Sequence, residues 1–161
     1  MTPEQEAQFK DYGCGCRCLI ALANIDGNPI SKAEFIDRYS PKYPLWQRIK
    51  QCGVTNVGMI FDIAKDLGIA NEFTVMINKN DLRDGVKKGF IKHLILNTER
   101  LMAADGVWGD YYHCALASPA WPSDSSWLVS QVNQEIAVLP PQEITDDYID
   151  RMRGYFLVLM P

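Results

Sequence analysis

The chain has no excess of basic residues. It carries 16 Lys or Arg against 20 Asp or Glu over 161 residues, a formal net charge of −4, with a pI near 5.1. Proteins that bind nucleic acids generally present a basic surface. We therefore expect no nucleic-acid partner, and we interpret the small basic cluster of Lys87, Lys88 and Lys92 as a solvated face.

Long apolar runs are also missing, and none approaches the about 20 residues that a membrane-spanning helix needs. The first residues, Met1–Glu6, are acidic and polar, without the basic and apolar regions of a signal peptide. We expect a cytoplasmic protein with no membrane partner. Secretion by a route that needs no signal stays open, and the sequence gives no oligomeric state.

Histidine is scarce, with two residues, whereas cysteine is present at an odd count of five. A disulfide framework is not expected in a cytoplasmic protein, so reactivity or burial must account for the cysteines. The 47% hydrophobic content, without repeats or linkers, predicts one globular domain over residues 1–161.

Three of the cysteines, Cys14, Cys16 and Cys18, lie close together before an apolar helical run, Leu19–Ala23. Glycines flank Cys14, and the pattern predicts a helix from Cys14 to about Ile25. The first turn of a helix directs unpaired N–H groups and the positive end of its dipole outward, which stabilises a thiolate.

Cys14 is the preferred nucleophile of the three. Gln8, six residues earlier, can donate its side-chain amide to an oxyanion beside the N–H of Cys14. Cys16 would place Gln8 at the wrong offset, and Cys18 lies a full turn inside the helix.

Gln8, five intervening residues, Cys14-Gly15 and then Cys18-Leu19 at the opening of a helix resemble the nucleophile segment of papain-like cysteine peptidases. The resemblance is greatest to the double-glycine leader-peptidase domains at the start of bacteriocin-exporting ABC transporters, and it extends to Met160. It implies a papain-like cysteine peptidase or amide hydrolase that acts through an acyl-enzyme, without a cofactor, on a peptide or protein. Because this chain lacks the transporter portions of those proteins, the substrate, the bond type and acyl transfer as the outcome stay open.

The resemblance also requires a base and a residue that orients it. His113 opens an apolar strand where its side chain can face a cleft, whereas His93 lies mid-strand in a setting typical of packing. The relatives place an acidic residue on the next strand, and other papain-like branches use asparagine. Asn133 is therefore the expected third member, with Asp124 as the alternative. Asn133 beginning a turn is equally compatible with the sequence.

Helices in the first half and strands in the second predict an α+β fold, with a helical half on an antiparallel sheet. Pro41–Gly53 holds an aromatic cluster with Trp46, interpreted as a packed surface loop or a substrate-facing lid. Beyond the nucleophile helix, the predicted helices are a capped helix from Ser31 to about Tyr39, one from an N-cap at Thr55 to Gly68, and a short one from Asn80 to near Gly89. The predicted strands are Phe90–Leu96, Tyr112–Ala117, Trp127–Val132 and Tyr155–Met160.

Two other functions compete with the hydrolase. The clustered cysteines with His113 and Cys114 supply enough soft ligands for zinc, although alternate cysteines entering a helix diverge. A non-catalytic module with a peptidase-like fold would instead hold a peptide in its cleft, and its Cys14 would be no more reactive than Cys52. Cys52 and Cys114 are expected to be small buried residues.

Overall fold

The computed structural model describes residues 2–43, 47–49, 52–54 and 57–161, and within them it is an α+β fold. Helices dominate the first half of the chain and strands the second, as the sequence pattern predicts. The helices are α1 (Pro3–Tyr12), α2 (Cys14–Ile25), α3 (Lys32–Tyr39), α4 (Val57–Asp66), α5 (Lys79–Lys87) and α6 (Asp146–Arg151). The strands are β1 (Gln47–Ile49), β2 (Cys52–Val54), β3 (Glu72–Met76), β4 (His93–Met102), β5 (Trp108–Ala117), β6 (Ser126–Ser130), β7 (Gln142–Thr145) and β8 (Tyr155–Met160).

Local capping chemistry fixes several helix starts. Ser31 accepts the N–H of Glu34 at 3.1 Å, and Glu34 accepts the N–H of Ser31 at 3.2 Å, which is the predicted capping box of α3. Thr2 and Gln5 form the same reciprocal pair at α1. The sequence analysis missed α1, although Pro3 after Thr2 is a helix-start signal.

Six strands form one antiparallel sheet in the order β3-β8-β4-β5-β6-β7. Strands β4 and β5 form its long central hairpin, from Leu94 opposite Ala117 to Met102 opposite Trp108. Strand β6 pairs with β5 at only two positions, Leu116 with Ser130 and Ala117 with Val129. Residues after Ser130 therefore leave the sheet close to the C-terminal end of β5.

Alternation along the central strands builds a core on each face of the sheet. Ile95, Leu116 and Leu157 lie in the core that contains α2, whereas Leu96 and Phe156 face the core that contains Trp127. The opposite face of the sheet is covered too, because Leu82 of α5 and Ile149 of α6 join that second core. The sequence predicted a helical layer on one face of the sheet, but it did not predict that α5 and α6 cover the other face.

The predicted bounds of three strands are wrong. Strand β4 begins at His93 and runs to Met102, β5 begins at Trp108, and β6 ends at Ser130. The outer half of the β4–β5 hairpin is polar and partly exposed, so it lacks the apolar signal that marks its inner half. Strand β8 is confirmed as predicted.

Two predictions fall partly outside the described residues. Thr55, the expected N-cap of α4, and Trp46, in the expected lid, both lie there, and so does the side-chain environment of Cys52. The flanking segments β1 and β2 form an antiparallel pair, with Gln47 opposite Val54.

Candidate active site

Cys14 is the first residue of α2, as predicted, and its side chain faces the sheet. Gly13 is the N-cap and has no side chain that could accept the first-turn N–H groups. The first turn also carries no acidic residue. The N–H groups and the positive end of the dipole thus remain available to a negative charge at Cys14.

His113 on β5 contacts this thiol. The two side chains are hydrogen-bonded to each other, and His113 Nε2 is bonded to Oε1 of Gln131. An amide oxygen only accepts, so Nε2 carries a hydrogen and Nδ1 is the ring nitrogen left for Cys14. Cys14, His113 and Gln131 therefore form a continuous chain of side-chain contacts.

The side chain bonded to Nε2 of His113 is that of Gln131 and not that of Asn133, the predicted third member. The side-chain oxygen of Asn133 accepts the N–H groups of Glu135 and Ala137, at 3.0 and 2.9 Å. Asn133 thus serves a turn, which was the competing interpretation of the sequence. The predicted role of Asn133 was wrong because β6 ends at Ser130, two residues before the expected Val132. Gln131, the first residue after the strand, is the one that reaches His113.

The alternation along β6 does not separate Gln131 from Asn133. Trp127 and Val129 are buried in the second core, and Gln131 and Asn133 both have the parity of these two residues. Asp124, the alternative, lies in an exposed loop before the other end of β6. A strand advances about 3.3 Å per residue, which separates Asp124 from the end that reaches His113.

The surroundings of Cys14 favour its thiolate. A hydrogen bond with the Cys114 side chain, together with the imidazole of His113 and the N–H of Cys114, lowers the pKa of Cys14 well below its ordinary value, although burial opposes this. Burial lowers the pKa of His113, but the bond to Cys14, its negative charge and Gln131 outweigh burial and raise the pKa. Opposite shifts of a thiol and an imidazole describe a thiolate–imidazolium pair near neutral pH.

Asn97, which sequence reasoning did not single out, lies behind Cys114. The thiol of Cys114 donates to Asn97 Oδ1 at 2.6 Å, and Asn97 Nδ2 donates to the Tyr155 hydroxyl at 3.1 Å. Because Cys114 has one thiol proton, Asn97 and the Cys14 thiolate compete for it. The imidazole of His113 and the N–H of Cys114 lower the pKa of Cys14 as well, behind the contribution of the Cys114 side chain.

Gln8 lies on α1, half-buried, six residues before Cys14. Helix α1 passes directly into α2, and Gly13 N–H donates to Phe9 O at 3.0 Å across the junction. A Cβ on Gly13 would lie 2.4 Å from that carbonyl oxygen. Only glycine fits here, which holds the helix with Gln8 against the start of the helix with Cys14.

The other cysteines whose side chains the structure describes are buried. These are Cys16, Cys18 and Cys114. Burial raises the pKa of Cys18. The hydrogen bond with Cys14 and burial together raise the pKa of Cys114. Within residues 2–43, 47–49, 52–54 and 57–161, no group of three or more His, Cys, Asp or Glu is arranged to hold a metal ion. The zinc alternative thus finds no ligand set in these ranges.

His93 has a structural partner instead of a place at the site. Its Nε2 lies 2.8 Å from Asp26 Oδ1, and Lys92 Nζ lies 3.0 Å from Asp26 Oδ2. Asp26 follows the last residue of α2, so this group is at the opposite end of the helix from Cys14. An open cleft of about 800 Å³ that includes Gly27 and Asp66 is at that far end as well.

No family model, curated protein or solved structure matches this chain. The geometry of the site therefore carries the functional argument. Among the helices of the described part of the chain, none is long and apolar enough to cross a membrane.

Proposed function

We propose that the protein is a papain-like thiol hydrolase that cleaves an amide bond of a peptide or protein through an acyl-enzyme. The observation that carries the proposal is the chain of contacts from Cys14, at a helix N-terminus, through His113 to Gln131. A nucleophile, a base and a group that orients the base are the parts that such catalysis needs. Cys18, one turn further along α2, is buried, and burial raises its pKa.

The reaction begins with the thiolate of Cys14 and the imidazolium of His113. Cys14 Sγ attacks the substrate carbonyl carbon, and the carbonyl oxygen becomes an oxyanion that accepts the N–H of Cys14 and the amide of Gln8. As the C–N bond breaks, the imidazolium gives its proton to the leaving amine. The products of this half-reaction are a thioester on Cys14, a free amine and neutral His113.

Water completes the turnover. Neutral His113 takes a proton from water, the hydroxide attacks the thioester carbon, and the C–S bond breaks. This releases a carboxylic acid and regenerates the thiolate–imidazolium pair, so no cofactor is consumed. An amine in place of water would give acyl transfer by the same steps.

Gln131 holds Nε2–H of His113 throughout. This bond keeps Nδ1 toward Cys14 and prevents the ring from turning. A neutral amide stabilises the imidazolium less than a carboxylate would, because it brings no negative charge. Gln131 nevertheless raises the pKa of His113, behind the larger contribution of Cys14.

The test is the pH dependence of alkylation by iodoacetamide at each cysteine, followed by mass spectrometry. We expect Cys14 to react below pH 7, well before the other cysteines. In His113→Ala the rate at pH 6 should fall at least about tenfold, since the imidazolium no longer stabilises the thiolate, and it should recover in strongly basic solution. A parent Cys14 that reacts no faster than a peptide thiol would instead favour the non-catalytic binding module.

A second arm separates an active enzyme from a module with a reactive thiol. A peptide library coupled to an amine-reporting label is incubated with parent protein and with Cys14→Ala. Amide cleavage or acyl transfer that requires Cys14 identifies the bond and the substrate class. We place the enzyme in the cytoplasm, which localisation of the tagged chain would check.

A further inference from the structure

Arg17 connects three of the four chain segments that form the candidate site. It lies on α2, three residues after Cys14, and its guanidinium reaches away from that helix in two directions. Nη1 donates to Phe9 O at 2.9 Å and to Lys10 O at 3.2 Å, in the last turn of α1. Nε donates to Val132 O at 3.1 Å.

Two of the three acceptors adjoin a residue of the site. Phe9 follows Gln8, and Val132 follows Gln131, so the guanidinium holds the backbone next to the oxyanion donor and next to the group that orients His113. The carbonyl oxygens at the end of α1 also form the negative end of its dipole, and they have lone pairs for further donors, since Phe9 O accepts the N–H of Gly13 as well as Nη1 of Arg17. A cation with several directed N–H groups satisfies both needs.

We infer that Arg17 is a positioning residue, which sets the location of Gln131 and through it the orientation of His113. This inference rests on the proposed function. Arg17 acts through its hydrogen bond to the backbone of Val132, and its positive charge separately lowers the pKa of His113. The planar fork of arginine supplies donors in two directions at once, which the single ammonium of lysine does not reproduce.

A hydrogen bond from Lys32 to the turn that follows β6 offers a matched control for Arg17. Lys32 Nζ donates to Gln134 O at 2.9 Å, three residues beyond Gln131, and it lies 5.8 Å from the centre of the Phe9 ring. Lys32→Met removes this tie but leaves the bond beside Gln131. If any hydrogen bond to this turn were sufficient to position Gln131, the Arg17 and Lys32 variants would have the same alkylation profile.

The experiment compares iodoacetamide profiles of Cys14 in the parent, Arg17→Lys, Gln131→Ala, the double variant and Lys32→Met. Arg17→Lys keeps the positive charge, so only the directed bonds change. We expect the alkylation rate of Cys14 in Arg17→Lys to fall about tenfold at pH 6. The pH range in which the Cys14 thiolate and the His113 imidazolium coexist should narrow at both its acidic and its basic limit, as in Gln131→Ala. The double variant should be no slower than either single variant, because both changes disable one arrangement. Lys32→Met should match the parent.

A parent profile without early reactivity at Cys14 would reject the proposed function itself. A normal parent with an unchanged Arg17→Lys profile, or with single effects that multiply to about a hundredfold in the double variant, would overturn the role of Arg17 alone. Melting temperatures are measured beside each profile, and all assays are run well below them. Should Arg17→Lys not fold, Arg17→Met, which keeps the aliphatic stem, replaces it. Failure of both to fold would assign Arg17 to stability and overturn the inference.

Discussion

At the scale of single residues, the site depends on contacts that change protonation equilibria. Cys14 has three neighbours that favour its thiolate, and His113 is raised in pKa by that thiolate despite its burial. The pair titrates as a unit, so its two apparent pKa values belong to both residues together. Hydrolysis should therefore show a bell-shaped pH profile, rising as Cys14 loses its proton and falling as His113 loses its own.

Gln131→Ala should narrow the pH range in which the Cys14 thiolate and the His113 imidazolium coexist. Loss of the acceptor for Nε2–H destabilises the imidazolium, so the thiolate forms at higher pH and His113 deprotonates at lower pH. We expect about a tenfold lower alkylation rate of Cys14 at pH 6, measured by mass spectrometry across pH 4–10.

Asn133→Ala is the matched control for Gln131. It removes the oxygen that accepts from Glu135 and Ala137, which should cost about 1 kcal/mol of stability with little change in the profile. If the two variants exchanged these effects, Asn133 would be the orienting residue and the assignment of Gln131 would be wrong.

At the scale of elements, the close junction of α1 and α2 decides where Gln8 lies relative to Cys14. Gly13 separates the two helices, and its backbone packs against the Phe9 carbonyl. The chain continues without a loop, so a displacement of α1 moves Gln8 directly. Sequence spacing alone predicted the neighbourhood of Gln8 and Cys14, but not that a helix would carry Gln8.

Gly13→Ala should loosen this junction. Its Cβ would meet Phe9 O at 2.4 Å, a backbone atom that cannot rotate away, so α1 must shift. We expect a loss of about 1–3 kcal/mol in the free energy of unfolding, measured by urea denaturation. Gly109→Ala is the control, because nothing lies within 4 Å of the added methyl group there. Equal effects of the two substitutions would show that the contact is not tight.

At the scale of the whole molecule, the two ends of α2 make different contacts with the sheet. The start of the helix presents Cys14 to β5, and its end is tied to β4 through Asp26, His93 and Lys92. Burial raises the pKa of Asp26, but the hydrogen bonds from Lys92 and His93 outweigh it and hold the pKa below its ordinary value. The helical layer is thus fixed to the sheet by charge at one end and by the active-site contacts at the other.

Asp26→Asn should destabilise the fold in a pH-dependent way. Because the carboxyl pKa is lower in the folded state, this contribution is complete above about pH 4, the value in unfolded chains, and it is lost as the pH falls through the lowered pKa. We expect a loss of about 1–2 kcal/mol at pH 7 and a smaller loss near pH 3, from urea titrations. Asp62→Asn, at an exposed position of α4, should show no such pH dependence. A loss that stays constant with pH would contradict the ion-pair explanation.

The sequence by itself determined the local structures that carry their own signals. Cys14–Ile25 is helical because glycine, cysteine and an apolar run follow one another there, Ser31 and Glu34 cap each other over three residues, and β8 is a continuous apolar run. The choice of Cys14 over Cys16 and Cys18 also followed from spacing. These features depend on residues within about one turn of each other.

Only the tertiary structure decided which distant residues meet. Gln131 rather than Asn133 reaches His113 because β6 leaves the sheet at Ser130, and that end depends on pairing with β5 and β7. Arg17, Asn97 and the second core are likewise invisible in a periodic pattern, since their partners lie far along the chain. Side-chain alternation and capping are local, whereas strand ends and hydrogen-bond partners are set by packing between elements.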